Sequence, residues 1–343
     1  MMANFWYLLD KYNKLSIYMT RYFHVVVLLL GVILGLEGSA AAQDFSLQGN
    51  RIVDQSGQEV RVERPFERII SLYGAHTENL FFLGLDKEVV GVGRNDHYPA
   101  EARQKDRFSY HDGPERFLAA APDLVLVRPM ISRGYPELMQ RLRKSGIEVL
   151  SLQPGTVQEM YTYWKILGLL TGKEAQAQDM IARFKAAVGR YEALTAPITD
   201  KKQVYFEAIH SRMKTFSPGA MPLFVLETAG GINVAKDARP SRGTNIAVYG
   251  KERILARASE IEIFLAQEGP MNSVSKEDIR QEPGFHLIEA VQEDRIFIVD
   301  EKLVSRPTFR LLNGIQLLGR IMYPELFQTR GRAILEQAGG RPG

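Results

Sequence analysis

The chain has 343 residues, of which 45% are hydrophobic and 24% are charged, an ordinary globular composition with room for two cores. Its net charge of +3 is too small and too scattered to favour nucleic acid binding, so we expect none. It contains no cysteine, which excludes thiolate metal sites, disulfides, a cysteine nucleophile and a lipid anchor on cysteine.

The first 42 residues resemble a signal peptide. A short basic segment precedes the apolar run 25–36, and small residues typical of a cleavage site follow, ending before Gln43. A retained membrane anchor is the alternative, but the run is too short to span a bilayer. Met19 is a natural start for such a peptide, so residues 1–18 can be an upstream mis-start. We therefore predict export to the periplasm without a lipid anchor.

Residues 43–154 are predicted to form an N-terminal α/β lobe. Residues 43–63 alternate polar and apolar side chains around a turn at 54–57, the pattern of a small hairpin. Strands and helices then alternate, which favours a mostly parallel sheet with ligands at the carboxyl ends of its strands. The predicted strands are 68–72, 88–92, 124–127 and 148–152; the predicted helices are 77–83, a short one from 115, and 136–145; and 73–76 and 128–133 are predicted loops.

Residues 155–195 are predicted to form a helical linker. Thr156 and Glu159 have the spacing of a capping box, and Gly172 separates a first helix from a second one. The second helix, 173–194, carries an apolar stripe at helical spacing and is about 33 Å long at ~1.5 Å per residue. The stripe consists of Ala177, Met180, Ile181, Phe184, Val188 and Tyr191.

Residues 196–330 are predicted to form a C-terminal α/β lobe, followed by a flexible tail at 331–343. The polar, glycine-rich composition of the tail is the reason for that expectation. The predicted strands are 203–207, 261–266 and 295–299, the predicted helices are 221–228, 250–256 and 308–322, and 215–219 is a predicted loop.

The order of several short motifs resembles periplasmic binding proteins for iron complexes and cobalamin, the substrate-capturing subunits of ABC importers. The resemblance implies two α/β lobes joined by a long bridging helix, with the ligand cleft between the lobes. It further implies a monomer that binds a small-molecule metal chelate, holds no resident cofactor and docks on a membrane permease. The motifs are Arg68–Leu72, Thr77-Glu78, Leu83–Leu85, Val89–Val92, Tyr98-Pro99, Pro122–Val125, Val204–Glu207, Ala229–Val234, Ile254–Arg257 and Ser305–Pro307.

Four of the six histidines fall in predicted loops that would line this cleft. They are His76, His97, His111 and His210. Together with Asp96 or Glu78 they suit zinc, nickel or ferric haem iron. Polar cleft loops also collect histidines as simple hydrogen-bond partners, and no H-x-x-H spacing defines a metal geometry. We therefore predict no bare-metal site and keep these four histidines as the candidates for one.

Arginines and aromatic residues near predicted strand ends suit an anionic chelate. Arg128 and Arg306 each follow a strand end within a few residues, and guanidinium groups pair well with chelate oxygens. Flat or soft apolar side chains would form the walls of the cleft. With His76, His111 and His210, the wall residues complete the predicted ligand contacts: Tyr73, Tyr98, Tyr110, Met130 and Phe216.

Two glutamates match positions that, in the family resembled, dock on permease arginines. Glu115 has the N-terminal lobe position and Glu252 the C-terminal lobe position. Each also stands near the start of a predicted helix, where a carboxylate complements the helix dipole, and that is the alternative role.

The sequence contains no G-x-S-x-G elbow, phosphate loop or H-E-x-x-H motif, so we predict a binding protein and no enzyme. The ligand we favour is a ferric siderophore. The first alternative is cobalamin, another corrinoid or haem, with His76 or His111 as axial ligand. A free transition metal, or a zinc-dependent hydrolase built on the histidine loops, are the further alternatives.

Overall fold

Two α/β sheets and a small antiparallel meander make up the part of the chain that the computed structural model describes, residues 44–240 and 244–340. The predicted signal peptide, its suggested mis-start and the end of the tail lie outside these residues. Within the described residues, no helix is both long enough and apolar enough to cross a bilayer.

The N-terminal lobe contains a meander and a five-stranded parallel sheet. In the meander, the Asp54 carboxylate accepts hydrogen bonds from the Ser56 and Gln58 amides and closes the predicted hairpin turn. The parallel sheet has the order β6-β5-β4-β7-β8. Its strands and those of the meander are β1 (Ser46–Gln48), β2 (Arg51–Val53), β3 (Glu59–Arg61), β4 (Ile69–Ser71), β5 (Val89–Gly93), β6 (Asp106–Phe108), β7 (Leu124–Val127) and β8 (Glu148–Ser151).

The C-terminal lobe contains a seven-stranded mixed sheet. Its order is β12-β13-β10-β9-β14-β15, with β11 pairing with β9. The strands β9, β14 and β15 run parallel, whereas β10 runs antiparallel to β9. The strands are β9 (Gln203–Ile209), β10 (Lys214–Phe216), β11 (Ile232–Asn233), β12 (Arg239–Pro240), β13 (Ile246–Val248), β14 (Ile263–Glu268) and β15 (Ile296–Asp300).

Helices pack on both sheets and between the lobes. The helices are α1 (Gly74–Phe82), α2 (Pro114–Ala119), α3 (Pro129–Gly134), α4 (Pro136–Lys144), α5 (Val157–Thr171), α6 (Glu174–Thr195), α7 (Met221–Thr228), α8 (Lys251–Leu255), α9 (Lys276–Gln281), α10 (Glu289–Gln292), α11 (Glu301–Val304), α12 (Leu311–Met322), α13 (Pro324–Leu326) and α14 (Arg332–Gln337).

The helices α5 and α6 begin and end close to the predicted positions because their signals are local. The Thr156 hydroxyl accepts a hydrogen bond from the Glu159 amide, at 3.2 Å, and begins α5. The Glu159 carboxylate accepts from the amide of Gly155 rather than Thr156, so the predicted capping box is displaced by one residue. Gly172, at φ +66°, ends α5 in the left-handed region. All six residues of the predicted stripe of α6 are buried.

Three predicted loops are regular structure instead. The first turn of α1 contains residues 74–76, α3 covers most of 128–133, and β10 ends within 215–219. In each case a glycine, proline or serine indicated a loop, but the tertiary partners favour a helix or a strand.

The C-terminal residues up to 340 differ from the flexible tail that we predicted. Residues Arg332–Gln337 form α14, in which Leu335 is 1% exposed. The Arg183 guanidinium of α6 donates to the carbonyl oxygen of Ala338 at 2.6 Å. This apolar contact and this hydrogen bond fix the segment on α6, and composition alone did not indicate either of them.

Candidate functional site

The carboxyl ends of parallel strands from both lobes meet at one cavity of 660 Å³. The loop after β5 contributes His97 and Tyr98, while the ends of β14 and β15 contribute Glu268 and Asp300. Strand carboxyl ends are where open α/β sheets bind ligands, and this volume suits a small molecule. We call it the interlobe cavity.

Buried ion pairs cross from one lobe to the other beside this cavity. The Glu78 side chain of α1 is 3% exposed and lies 3.2 Å from Arg306 and 3.4 Å from Arg310. Arg306 also lies 3.6 Å from Glu301. Burial raises the pKa of Glu78, and the two arginines oppose that rise. Arg306 thus lines the interlobe cavity, but protein carboxylates already neutralise its charge.

Arg128 differs from Arg306 in having no carboxylate partner among the residues that the structure describes. Its guanidinium carbon lies 5.2 Å from the centroid of the Tyr73 ring, and Nη2 lies 3.7 Å from the Met130 sulfur. Burial raises the pKa of Tyr73 to about 12, so its hydroxyl is protonated at neutral pH. A half-buried arginine whose charge no carboxylate offsets can pair with oxygens of a ligand.

An aromatic group lies at the same edge of the N-terminal sheet. The Tyr135 hydroxyl and His111 Nδ1 share a hydrogen bond of 3.0 Å. The Tyr110 ring lies 4.9 Å from the Tyr135 ring and 4.5 Å from the His111 ring. Met130, in the first turn of α3, is 46% exposed, and its sulfur contacts Arg128, so the two side chains offer a ligand one joint surface. This face of the N-terminal lobe is therefore aromatic and cationic.

In the C-terminal lobe, carboxylates surround the predicted histidine His210. His210 Nδ1 lies 3.0 Å from the Glu207 carboxylate, which is fully buried, and Nε2 lies 3.8 Å from Glu282. The hydrogen bond to Glu207 is the main reason why the pKa of His210 is raised. Lys251 pairs with Glu282, and Met271, 58% exposed, lines a 420 Å³ hollow beside His210. His210 is thus engaged by carboxylates of its own lobe.

His76 does not lie in a cleft loop, which corrects its predicted place. It lies in the first turn of α1, fully buried, with Nε2 donating to the Val127 carbonyl oxygen at 3.0 Å. The Tyr163 hydroxyl, 2.7 Å away, then donates to Nδ1. Burial lowers the pKa of His76 to about 4, so the ring is neutral. Because both nitrogens have protein partners, this ring cannot serve as the axial ligand that we considered.

The four predicted histidines do not converge on one point. His97 is exposed and lines the interlobe cavity, whereas His111 and His210 contact the partners given above. Over residues 44–240 and 244–340 there is no group of three or more His, Asp or Glu side chains that could hold a metal ion. The described residues therefore offer these histidines no shared metal site.

Two of the residues predicted to form the walls of the cleft, Phe216 and Tyr98, lie in environments that differ from each other. Phe216 is 2% exposed and packs edge-to-face on Phe206, with 5.1 Å between the ring centroids. It belongs to the core, which corrects its predicted role as a wall of the cleft. Tyr98 is 44% exposed and lines the interlobe cavity, with the Arg310 guanidinium 4.1 Å from its ring centroid.

Sequence reasoning missed Arg310, Tyr135 and Met271. Arg310 lies four residues after Arg306, and Met271 follows the end of β14, so these spacings were available signals. Tyr135 joins the aromatic group only through the tertiary contact between α4 and the loop after β6.

The two proposed docking glutamates are exposed and lie on different lobes. Glu115 is in the first turn of α2 and Glu252 is in the first turn of α8. Both places also suit a carboxylate that complements a helix dipole.

The sequence pattern of the family described as "Periplasmic binding protein" matches residues 69–303. The uncharacterized ABC transporter substrate-binding lipoprotein YvrC of Bacillus subtilis is 26% identical over 294 residues, covering 84% of this chain and 90% of that protein. A vitamin B12-binding protein of Vibrio campbellii is 26% identical over 257 residues, covering 73% of this chain and 87% of that protein.

A solved structure from Staphylococcus epidermidis, described as a possible iron-binding (periplasmic solute-binding) protein, has a similar fold. It superposes with a TM-score of 0.66 at 28% identity, covering 76% of this chain and all of the other. The two-lobed α/β architecture predicted from the sequence is thereby confirmed.

Proposed function

This chain belongs to the periplasmic binding protein family, as a substrate-binding protein of the ABC-transporter type, and we propose that its ligand is a ferric siderophore. The ligand lies between the two lobes, at the carboxyl ends of their strands. The protein then delivers it to a membrane permease.

The observation that carries the proposal is the unpaired charge of Arg128 at the edge of an aromatic surface. A ferric siderophore presents oxygen atoms around the metal and organic spacers outside it. Arg128 suits the oxygens, while Tyr110, Tyr135 and Met130 suit the spacers. Met271 supplies an exposed apolar contact from the other lobe.

A corrinoid is the second candidate, because two observations favour it. Relatives such as the Vibrio campbellii protein are named vitamin B12-binding proteins. Moreover, Arg306 and Arg310 are paired with Glu78, so of the two arginines predicted to bind the ligand, Arg128 alone lacks a carboxylate partner within the described residues. A large neutral ligand needs fewer arginines. Haem requires an axial ligand, and of the two histidines considered, only His111 is exposed.

A free transition metal and zinc-dependent hydrolysis have less support. The histidines are dispersed, and the described residues offer no cluster that suits a metal ion. We propose ligand binding without catalysis, as in a family of solute-binding proteins.

Export, a monomeric state and docking through Glu115 and Glu252 complete the proposal. The Bacillus relative is named a lipoprotein, whereas this sequence contains no cysteine for such an anchor. Secretion to the periplasm without a lipid therefore stays a prediction, and mass spectrometry of protein from a periplasmic fraction tests it.

A thermal-shift panel on refolded protein tests the ligand class. The panel contains ferric trihydroxamate, tricatecholate and citrate complexes, cyanocobalamin, haemin, zinc and nickel. A ligand at about a hundred times its Kd stabilises the fold by about 2.7 kcal/mol, a shift of a few degrees for a chain of this size. We expect a shift with a ferric chelate. A shift only with cyanocobalamin or haemin selects the second candidate, and a shift only with zinc or nickel contradicts both.

A further inference from the structure

A second cavity, of 720 Å³, lies beside the interlobe cavity. We call it the side cavity. It lies between α1 of the N-terminal lobe and the residues that lead into α12 of the C-terminal lobe. Four side chains line both spaces: His97, Tyr98, Arg103 and Arg310. The two cavities are therefore neighbours, with side chains at their boundary.

The boundary is formed largely by a stacked pair. The Arg310 guanidinium lies 4.1 Å from the centroid of the Tyr98 ring, and the Tyr98 residue is 44% exposed. Arg310 is held by Glu78 at 3.4 Å, whereas no hydrogen bond of the Tyr98 hydroxyl is found within the described part of the chain. The tyrosine is the element of this pair that can move aside by rotation about its side-chain bonds.

A partly exposed aromatic pair, Phe82 and Phe309, forms one wall of the side cavity, with the Arg183 guanidinium 5.7 Å from the Phe82 ring centroid. Phe82 stacks on Phe309 with 4.4 Å between the ring centroids and 26° between the planes. Phe82 is nevertheless 37% exposed, although it belongs to a helix that is otherwise largely buried. A flat or apolar group placed on this wall would remove apolar surface from water.

A buried acceptor without a partner lies in the lining of the same cavity. The Asn79 side chain is 1% exposed, and its Nδ2 donates to the Pro307 carbonyl oxygen at 2.9 Å and to the Tyr163 hydroxyl at 3.3 Å. These two bonds fix the amide orientation and leave Oδ1 buried with no hydrogen bond. Because Oδ1 is buried, a ligand N–H or O–H reaches it only when neighbouring side chains move, and the hydrogen bond then satisfies an acceptor that otherwise has no partner.

Resting on the function proposed above, we propose that the side cavity is a second subsite of the same binding site, which takes an arm of the metal complex. The arm has an amide N–H donor for Asn79 and an apolar part for Phe82. The metal centre stays in the interlobe cavity, and the arm passes Tyr98. The ligand class is therefore a chelate with a pendant, neutral, amide-bearing arm.

Matched pairs of complexes test this inference by calorimetric titration. The first pair is N-acetylated linear ferrioxamine, which has a neutral amide arm, and cyclic ferrioxamine, which has none. The second pair is cyanocobalamin and dicyanocobinamide, which lacks the nucleotide arm. Within whichever pair binds, we expect the complex with the arm to bind about tenfold more tightly than the complex without it. One hydrogen bond and the burial of part of the apolar arm account for a gain of that size.

Two variants test whether the preference for the complex with the arm arises in the side cavity. Ala100→Trp fills the side cavity from its exposed rim, and Phe82→Ala removes its wall. Either change should abolish the tenfold preference and leave the affinity for the armless complex within about twofold. Ala175→Trp, at an exposed position of α6, is the matched control and should keep the preference.

The outcomes separate this inference from the function on which it rests. Equal affinities for both members of the pair that binds, unchanged in Ala100→Trp, overturn the second subsite and leave the binding function intact. A preference that persists in both Ala100→Trp and Phe82→Ala also overturns it, because the arm then lies elsewhere. If neither pair binds, the proposed function fails, and this inference fails with it.

Discussion

The interlobe cavity is bordered by the same kind of strand end in both lobes, yet the two lobes use their arginines differently. In the N-terminal lobe, Arg128 lies beside aromatic rings, and no carboxylate neutralises it within the described residues. The C-terminal lobe lines the interlobe cavity with three carboxylates and three cations, and two of the cations, Arg306 and Arg310, are paired with Glu78 of the other lobe. We propose a division of roles, in which Arg128 stays available to the ligand while Arg306 and Arg310 join the lobes.

The histidines of the two lobes also differ, in the direction in which the protein shifts their pKa. His76 lies within the N-terminal lobe, hydrogen bonded to Val127 and Tyr163, and burial lowers its pKa to about 4. His210 of the C-terminal lobe is hydrogen bonded to Glu207, which raises its pKa. Two residues of one type thus have opposite shifts, because desolvation dominates around His76, whereas the hydrogen bond to a carboxylate dominates around His210.

Glu78→Ala gives the largest expected effect, because it leaves two arginines without their buried partner. Loss of one member of a buried ion pair costs about 3–5 kcal/mol, and we expect a loss of unfolding free energy of that size in urea denaturation. Glu336→Ala removes a carboxylate from an exposed pair with Arg332 and should cost less than about 1 kcal/mol. Similar costs for the two variants would contradict a structural role for the pairs between lobes.

Opposite pH dependence of two histidine variants is the next largest effect. Because the pKa of His76 is lowered from 6.5 to about 4, its contribution to stability is complete above about pH 6.5 and is lost as pH falls towards 4, by up to roughly 3 kcal/mol. Because the pKa of His210 is raised, its contribution is complete below about pH 6.5 and is lost as pH rises through its folded value.

Urea denaturation of wild type, His76→Gln and His210→Gln between about pH 4 and pH 8 measures these dependences. The difference between wild type and His76→Gln should shrink towards acid pH, and the difference between wild type and His210→Gln should shrink towards alkaline pH. If the difference in unfolding free energy from wild type changed with pH in the same direction for both variants, the described environments of His76 and His210 would be contradicted.

Arg128→Ala should weaken ligand binding with little change in stability. A charge-assisted hydrogen bond contributes about 2 kcal/mol, so we expect a roughly thirtyfold rise in Kd for a ferric trihydroxamate. Arg320→Ala, at an exposed position of α12, is the matched control and should bind as wild type does. Equal losses in both variants would mean that net charge, and not Arg128, governs binding.

Glu115→Ala and Glu252→Ala should have the smallest effect on the isolated protein. Both carboxylates are exposed, so affinity and stability should stay within about 0.5 kcal/mol of wild type. If they dock on a permease, uptake of the labelled complex by cells should fall in each single variant and further in the double variant. Unchanged uptake in the double variant would mean that the two glutamates only complement the dipoles of their helices and do not dock on a permease.

Local signals explain what the sequence predicted well. Thr156, Gly172 and the apolar stripe of α6 predicted both linker helices to within about a residue, because caps and periodicity act over a few positions. The alternation of strands and helices likewise predicted the α/β fold. These features need no knowledge of distant partners.

Distant contacts explain what the sequence did not predict. Gly74 suggested a loop, but it begins α1 and makes room for the Arg306 guanidinium, which a Cβ at this position would strike. Arg306 and Arg128 are alike in sequence context, and only the approach of Glu78 from the other lobe separates a paired cation from an unpaired one. Phe216 became a core residue because β10 pairs antiparallel with β9.

Hydrogen–deuterium exchange with and without a bound ferric trihydroxamate tests the central claim most directly. If the ligand lies between the two lobes, protection from exchange should increase in three segments: 109–111, 128–135 and 269–273. Protection of both lobes, reduced in Arg128→Ala at equal total ligand, is the predicted result. Protection confined to one lobe, or located away from these strand ends, would contradict capture between the lobes.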